Sequence, residues 1–291
     1  MSVSDPILPD SFVVCGPTAS GKSEVADALA ERLTNARGRH VRTLVVDSMQ
    51  VYRELPVITN QARARPAELV GIVSATEEWS VAAHRARAEE IIAPEMGFVL
   101  DAGTGMYLNA LLLDIPLAPE VSPELRERAQ VMVADEPNPR RASRAKELEL
   151  AGAASRGSIW AGNLRYQTAI VYLRPERSES DAAIAKRSRR IAREGVQEAR
   201  KLREMLADGA KMNPSVMDSV GVRELSQYLA GTLTLQQAED LITARTRRFA
   251  RRQVRWFDKL MRTLEGRARI AVVGDGRCPP ELHNMHDIIG V

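Results

Sequence analysis

Two cysteines in 291 residues, Cys15 and Cys278, are too few for a disulfide framework and lack the spacing of a zinc site. Both read as packing or incidental thiols. No stretch of about eighteen apolar residues occurs anywhere, which removes the material for a membrane-spanning helix. The opening segment MSVSDPILPD is polar and interrupted by proline, so it does not read as a signal peptide. A cytoplasmic enzyme with no membrane partner is the class these absences leave. Internal repeats and low-complexity tracts are also missing. The net charge is only +3, so a polyanionic partner must be sought in how the basic residues are bunched rather than in their sum.

What is present suits an α/β fold. A hydrophobic content of 44% over this length can bury a sizeable core, as one large domain or a domain with an insertion. Short β-rich runs at Phe12–Cys15, Val41–Val46, Phe98–Leu100, Ala169–Leu173 and Ile270–Val273 alternate with helical patterns, which predicts a mainly parallel sheet of the P-loop NTPase-like kind. From Pro116 to Trp160 the pattern changes to short, proline-punctuated helical pieces carrying Arg126, Arg128, Arg140, Arg141 and Arg144. The expected division is therefore a core over 1–115, a helical insertion over 116–165, and completion of the core with basic helices over 166–291. Two long helices are predicted in that last part, Asp181–Leu206 and Leu235–Leu264.

The segment Gly16-Pro17-Thr18-Ala19-Ser20-Gly21-Lys22-Ser23 follows the first strand and precedes a helical pattern at Val25, Ala28, Leu29 and Leu33. That is a complete P-loop in its strand–loop–helix setting. Glycines let backbone N–H groups turn toward phosphate oxygens, Lys22 brings a point charge, and the Ser23 hydroxyl is placed for Mg2+. A diphosphate or triphosphate is the expected ligand.

Two further segments stand at strand ends, where open α/β sheets bind ligands. Asp47-Ser48-Met49-Gln50-Val51-Tyr52-Arg53 offers a carboxylate that can act as a base and polar groups that can read a base edge; Asp47 serves equally well as a helix cap. Gly103-Thr104-Gly105-Met106-Tyr107 makes a small-residue turn whose Thr104 could donate to phosphate or cap a helix. The run Ala244–Arg262 places Arg245, Arg247, Arg248, Arg251, Arg252, Arg255, Lys259 and Arg262 against the single acid Asp258, with Phe249, Trp256 and Phe257 between them. Such density predicts phosphate contact. A second basic cluster lies at Lys186, Arg187, Arg189, Arg190 and Arg193.

In this order, GPTASGKS, DSMQVYR, GTGMYLNALL, SVGVREL and TRRFARRQVRWF together resemble the tRNA dimethylallyltransferase family, the isopentenyl transferases that modify adenosine beside the anticodon. The resemblance covers nearly the whole chain and implies a P-loop fold that takes dimethylallyl diphosphate in place of ATP, with a helical insertion gripping the anticodon stem-loop of tRNA. It assigns Thr18 through Ser23 to the diphosphate, Asp47 to the role of general base, and Thr104 to the reacting centre. Ser48, Met49 and Gln50 would line the pocket of the extruded adenine. Arg126 and the stretch Arg140–Arg144, with Arg141 and Ser143, would contact tRNA, and Arg248, Arg251 and Arg252 join them on the basic helix. A monomer is expected.

The chain departs from the family pattern at Ala67, Glu68, Gly71 and Ala183, and its third strand ends in Asp101 where the family is apolar. An acid at that place suits a magnesium-assisting carboxylate, so a small-molecule P-loop kinase stays open as an alternative. So does prenylation of a free adenine nucleotide, which the short insertion favours. A non-catalytic RNA-binding protein would have little use for the P-loop.

Overall fold

The computed structural model describes residues 11–92, 97–119, 121–133, 136, 139–152 and 158–274, with 123 and 139–141 as backbone. The segment MSVSDPILPD and Cys278 lie outside them.

Five strands form one sheet: β1 (Ser11–Cys15), β2 (Arg42–Val46), β3 (Phe98–Ala102), β4 (Thr168–Arg174) and β5 (Arg269–Gly274). They are ordered β2-β3-β1-β4-β5 and every pairing is parallel. Strands β1 to β4 are almost wholly buried, including β2 at one edge of the sheet, which is why they read as continuous apolar stretches rather than alternating ones. All five sequence-predicted strands are present. The register of the first three positions the site: Cys15 and Val46 both lie opposite Ala102. The P-loop, the Asp47 segment and the Gly103 turn therefore leave the same edge of three adjacent strands.

Helix α1 (Lys22–Arg37) lays Val25, Ala26, Leu29, Ala30 and Leu33 on Phe12, Val14, Val99 and Val171 of the sheet. It begins after Gly21 and ends at Gly38, both at positive φ (80° and 63°), where a side chain would be strained. Helices α2 (Val81–Ile91) and α3 (Gly105–Leu112) flank β3 in the chain. Leu113–Asn163 is a compact unit of its own, in which α4 (Pro123–Met132) packs on α5 (Pro139–Leu150). Ser122 caps α4 through the Leu125 amide, with Pro123 entering at the first turn. The other described residues form the second unit.

After β4 come α6 (Arg177–Glu194), α7 (Val196–Ala207), α8 (Pro214–Met217), α9 (Val222–Leu229) and α10 (Leu235–Leu264). The single helix expected over Asp181–Leu206 is thus two. The break falls at Gly195, where a Cβ would stand 2.8 Å from Ile58 Cγ1 and 2.7 Å from the Ile191 carbonyl. Close approach of Ile58, part of a core with Val51, Tyr52, Leu55, Ile191, Leu202, Leu225 and Ile242, dictates that glycine. Helix α10 has the expected bounds, and its first turn closes a capping box between Thr234 and Gln237.

Two of the three aromatic residues of α10, Trp256 and Phe257, are structural. Phe257 is fully buried beside Tyr172, and Trp256 donates from Nε1 to Asn109 Oδ1 at 3.2 Å while its ring covers Gly105. The place of Trp256 and Phe257 in the basic run therefore reflects an inward face of the helix and adds nothing to the expectation of phosphate contact. A Cβ on Gly105 would lie 2.1 Å from Trp256 Cδ1. Gly105→Ala should accordingly lower stability by about 1–3 kcal/mol through overpacking. A thermal midpoint equal to the parent's would contradict this packing.

Candidate active site at the carboxyl edge of the sheet

The P-loop keeps the shape its glycines permit. A Cβ on Gly16 would stand 2.7 Å from the Leu173 carbonyl and 2.8 Å from Ser20 Oγ, and Ala19 and Gly21 both hold positive φ (64° and 80°). The amides of Lys22 and Ser23, in the first turn of α1, have no intrahelical acceptor and point out of the positive end of the helix. Lys22 is buried at 8% exposure and makes no ion pair among the described residues. Pro17 accepts from the Ser20 amide at 3.3 Å, closing the loop on itself.

Asp47 performs two tasks at once. Its Oδ1 accepts from the amides of Met49 at 2.8 Å and Gln50 at 3.3 Å, capping a turn where the sequence allowed a helix cap. Its Oδ2 faces the other way, 2.6 Å from where a Gly103 Cβ would be, with Lys22 Nζ 3.6 Å from that same point. Gly103 is small so that the acid and the ammonium can converge. Thr104 Oγ1 accepts from the Ser48 amide at 3.1 Å and lies 3.4 Å from Ser48 Oγ, while the amides of Gly103 and Thr104 donate to the Val46 carbonyl at 3.1 and 3.0 Å. Thr104 therefore ties two loops together. Ser48 and Met49 are half-buried, and Gln50 is buried with its Oε1 unpartnered among the described residues.

Arg187 of α6 comes to the same place. It is half-buried and has no ion-pair partner among the described residues; burial, helped by the like charge of Arg190, pushes its guanidinium down to about 10 against the pull of the Asp47 carboxylate. It remains charged at neutral pH. Ala183, one turn earlier, supplies no second charge. Two cations, Lys22 and Arg187, thus stand around one carboxylate, which leaves one positive charge unbalanced, and buried charge of that kind is costly without a further anion.

Gln253 belongs to the site and has no motif that singles it out. Deep in α10, it accepts from the Thr18 amide at 2.9 Å and donates to the Gly103 carbonyl at 2.7 Å, pinning the P-loop to the Gly103 turn. The sequence signals were its place within TRRFARRQVRWF, one of the segments that carry the family resemblance, and on the inward face of α10, four residues from Phe257. The departures have local roles. Glu68 runs beside β2, its amide donating to the Thr43 carbonyl at 2.8 Å and its carbonyl accepting from Val45 at 3.0 Å; Gly71 holds φ +60° and donates to the Gln50 carbonyl at 2.9 Å.

Two of the eight basic residues in the α10 run are neutralised from elsewhere. Arg245 pairs with Glu224 and with Asp218, and Arg247 with Asp181 at 3.1 Å. Arg248, Arg251, Arg252, Arg255 and Arg262 are exposed at spacings of three, one, three and seven, which puts them on one side of the helix. Arg252 also sits over the Phe249 ring. In the second cluster, Arg189 pairs with Glu239 at 3.6 Å and Arg190 donates to Asn60.

Within Leu113–Asn163, Arg144 spans Glu147 at 2.7 Å and the Pro119 carbonyl at 3.0 Å, and Arg126 donates to the Val121 carbonyl at 3.3 Å. Ser143 is buried and donates to Glu147 at 3.3 Å, so its hydroxyl faces its own helix, not a partner. Arg140 and Arg141 lie in the first turn of α5.

Asp101, which the kinase alternative would place near magnesium, has a different partner. Its Oδ2 pairs with Arg63 at 2.5 Å in a buried contact. Cys15 is buried, which raises its thiol pKa far above the usual range and leaves it inert. No described helix is long and apolar enough to cross a membrane.

The sequence model of the IPP transferase family matches residues 50–260. A tRNA dimethylallyltransferase of Rubrobacter xylanophilus is 60% identical over 282 residues, covering 95% of this chain and 97% of that protein. Another, from Citrifermentans bemidjiense, is 31% identical over 85% of this chain and 89% of its own length. Among solved structures, the tRNA isopentenylpyrophosphate transferase of Bacillus halodurans superposes with a TM-score of 0.68 at 24% identity, covering 96% of this chain and 95% of that one.

Proposed function

The chain belongs to the tRNA dimethylallyltransferase family, and from that premise we propose how its residues divide the reaction between donor and acceptor. The chain is a prenyltransferase acting on tRNA. The donor is dimethylallyl diphosphate, its diphosphate held by the P-loop amides from Thr18 to Ser23, by Lys22 and by Arg187. The acceptor is the exocyclic amine of the adenosine on the 3′ side of the anticodon. That nitrogen forms a bond to the allylic carbon as the carbon–oxygen bond to diphosphate breaks, and Asp47 Oδ2 takes the proton the amine loses. Preorganised donors at the departing oxygens stabilise the charge that develops there. The adenine must leave its stack to arrive, and Gln50 Oε1, buried and unpartnered among the described residues, can accept from its edge.

The observation that carries this reading is the pair of cations without acids of their own, Lys22 and Arg187, around Asp47. A divalent ion suits the site: Ser23 is half-buried at the start of α1, and Mg2+ is commonly held by few protein ligands plus phosphate oxygens. Bound there through Ser23, it would neutralise charge on the diphosphate. With Asp101 paired to Arg63, the feature that favoured a kinase is lost. The arginines of the insertion and the exposed side of α10 serve tRNA in this reading, and the protein acts as a monomer.

Calorimetry tests the donor site. Lys22→Ala and Arg187→Ala should each weaken dimethylallyl diphosphate binding by about tenfold or more, since a hydrogen bond to a charged group is worth about 1.5–3 kcal/mol, while leaving tRNA affinity unchanged. Unaltered diphosphate affinity in both variants would remove the diphosphate from this loop.

A further inference from the structure

Arg63 is buried where three of the site's supports meet. Its Nη1 contacts Asp101 Oδ2 at 2.5 Å, and its Nη2 contacts Asp27 Oδ1 at 2.6 Å and the Ser23 carbonyl at 3.4 Å. The three charged side chains are 5%, 0% and 7% exposed for Arg63, Asp101 and Asp27. Two acids face one base, and Asp101 Oδ1 and Arg63 Nε have no partner among the described residues. Charge balance alone would not have selected this arrangement.

Each contact falls on an element that leads into the site. Ser23 and Asp27 are one turn apart on α1, directly behind the P-loop. Asp101 precedes Ala102, the residue in register with the last residues of β1 and β2. Arg63 itself lies on the chain that continues from the Asp47 segment. We propose that Arg63 is a positioning residue for diphosphate binding: its fork sets the first turn of α1, the end of β3 and the loop beyond Asp47 in one fixed relation. This rests on the reading of the P-loop as the diphosphate site. A guanidinium can do so because it is planar and grips acids in two fixed directions, whereas an ammonium is a point charge. Stability is not the reason, since buried ionic groups replaced together by apolar side chains of similar volume often leave a protein equally stable or more so.

The same property supplies the test. The variant combining Arg63→Met, Asp27→Leu and Asp101→Val removes all three charges without leaving one unpaired, and Arg63→Lys keeps the charge but loses the fork. Binding of inorganic pyrophosphate with magnesium, binding of tRNA and the thermal midpoint are measured on the full chain for both and for the parent. The triple variant should keep its midpoint and its tRNA affinity while pyrophosphate binding weakens about tenfold, the scale on which supporting contacts tune a site. Arg63→Lys should fall between it and the parent. Parent-like pyrophosphate affinity in the triple variant would overturn the inference; if that variant fails to fold, parent-like affinity in Arg63→Lys overturns it equally. A parent that does not bind pyrophosphate would instead sink the diphosphate reading, and the role of Arg63 with it.

Discussion

Asp47→Asn should reduce prenyl transfer by about two to four orders of magnitude, the usual cost of removing a positioned base, while binding of dimethylallyl diphosphate stays close to that of the parent. Asparagine is the informative replacement because it separates the two tasks of the acid. Its side-chain oxygen can still accept from the amides of Met49 and Gln50, as Asp47 Oδ1 does at 2.8 and 3.3 Å, so the turn keeps its cap. What it cannot do is take a proton at the position of Oδ2. Single-turnover rates with saturating tRNA read the difference. An Asn variant as fast as the parent would make Asp47 a cap and nothing more. Asp47→Ala, which loses both functions, should be no faster than Asp47→Asn.

The second large effect concerns the acceptor. Removing Arg248, Arg251 and Arg252 together, each to alanine, should weaken tRNA binding and lower the slope of log affinity against log salt by about 0.7 to 0.9 for each phosphate that is no longer neutralised. These arginines are exposed and lack the acids that neutralise Arg245 and Arg247, so removing them breaks no ion pair among the described residues. Dimethylallyl diphosphate affinity should not change. If the diphosphate affinity fell while the salt slope held, the exposed side of α10 would belong to the reaction centre and not to tRNA.

The parts of this molecule legible in the sequence are those written in short-range patterns. The strands announce themselves because a parallel sheet buried on both faces needs unbroken apolar runs, and the P-loop because its residues are contiguous in the chain and Gly21 is demanded by its own backbone angle. Helix α10 is bounded by its own capping box. What the sequence could not show depends on residues far apart in the chain. Nothing near Arg245 and Arg247 hints that Glu224 and Asp181 will neutralise them, and nothing around Gly195 indicates that Ile58 will press against it and split a helix in two. Gln253 reads as one polar residue among arginines until Thr18 and Gly103 arrive on either side. Asp101 looked like a ligand for a metal ion because its partner Arg63 stands 38 positions away.

Transfer of a dimethylallyl group onto tRNA can be seen directly as added mass. The protein is incubated with dimethylallyl diphosphate and magnesium, and unmodified tRNA, AMP and ATP are offered separately as acceptors and then weighed by mass spectrometry. The expected outcome is the mass of one dimethylallyl group on tRNA, localised to the adenosine beside the anticodon, with AMP and ATP unchanged. Modified AMP or ATP alongside untouched tRNA would contradict that assignment and make the protein a nucleotide prenyltransferase.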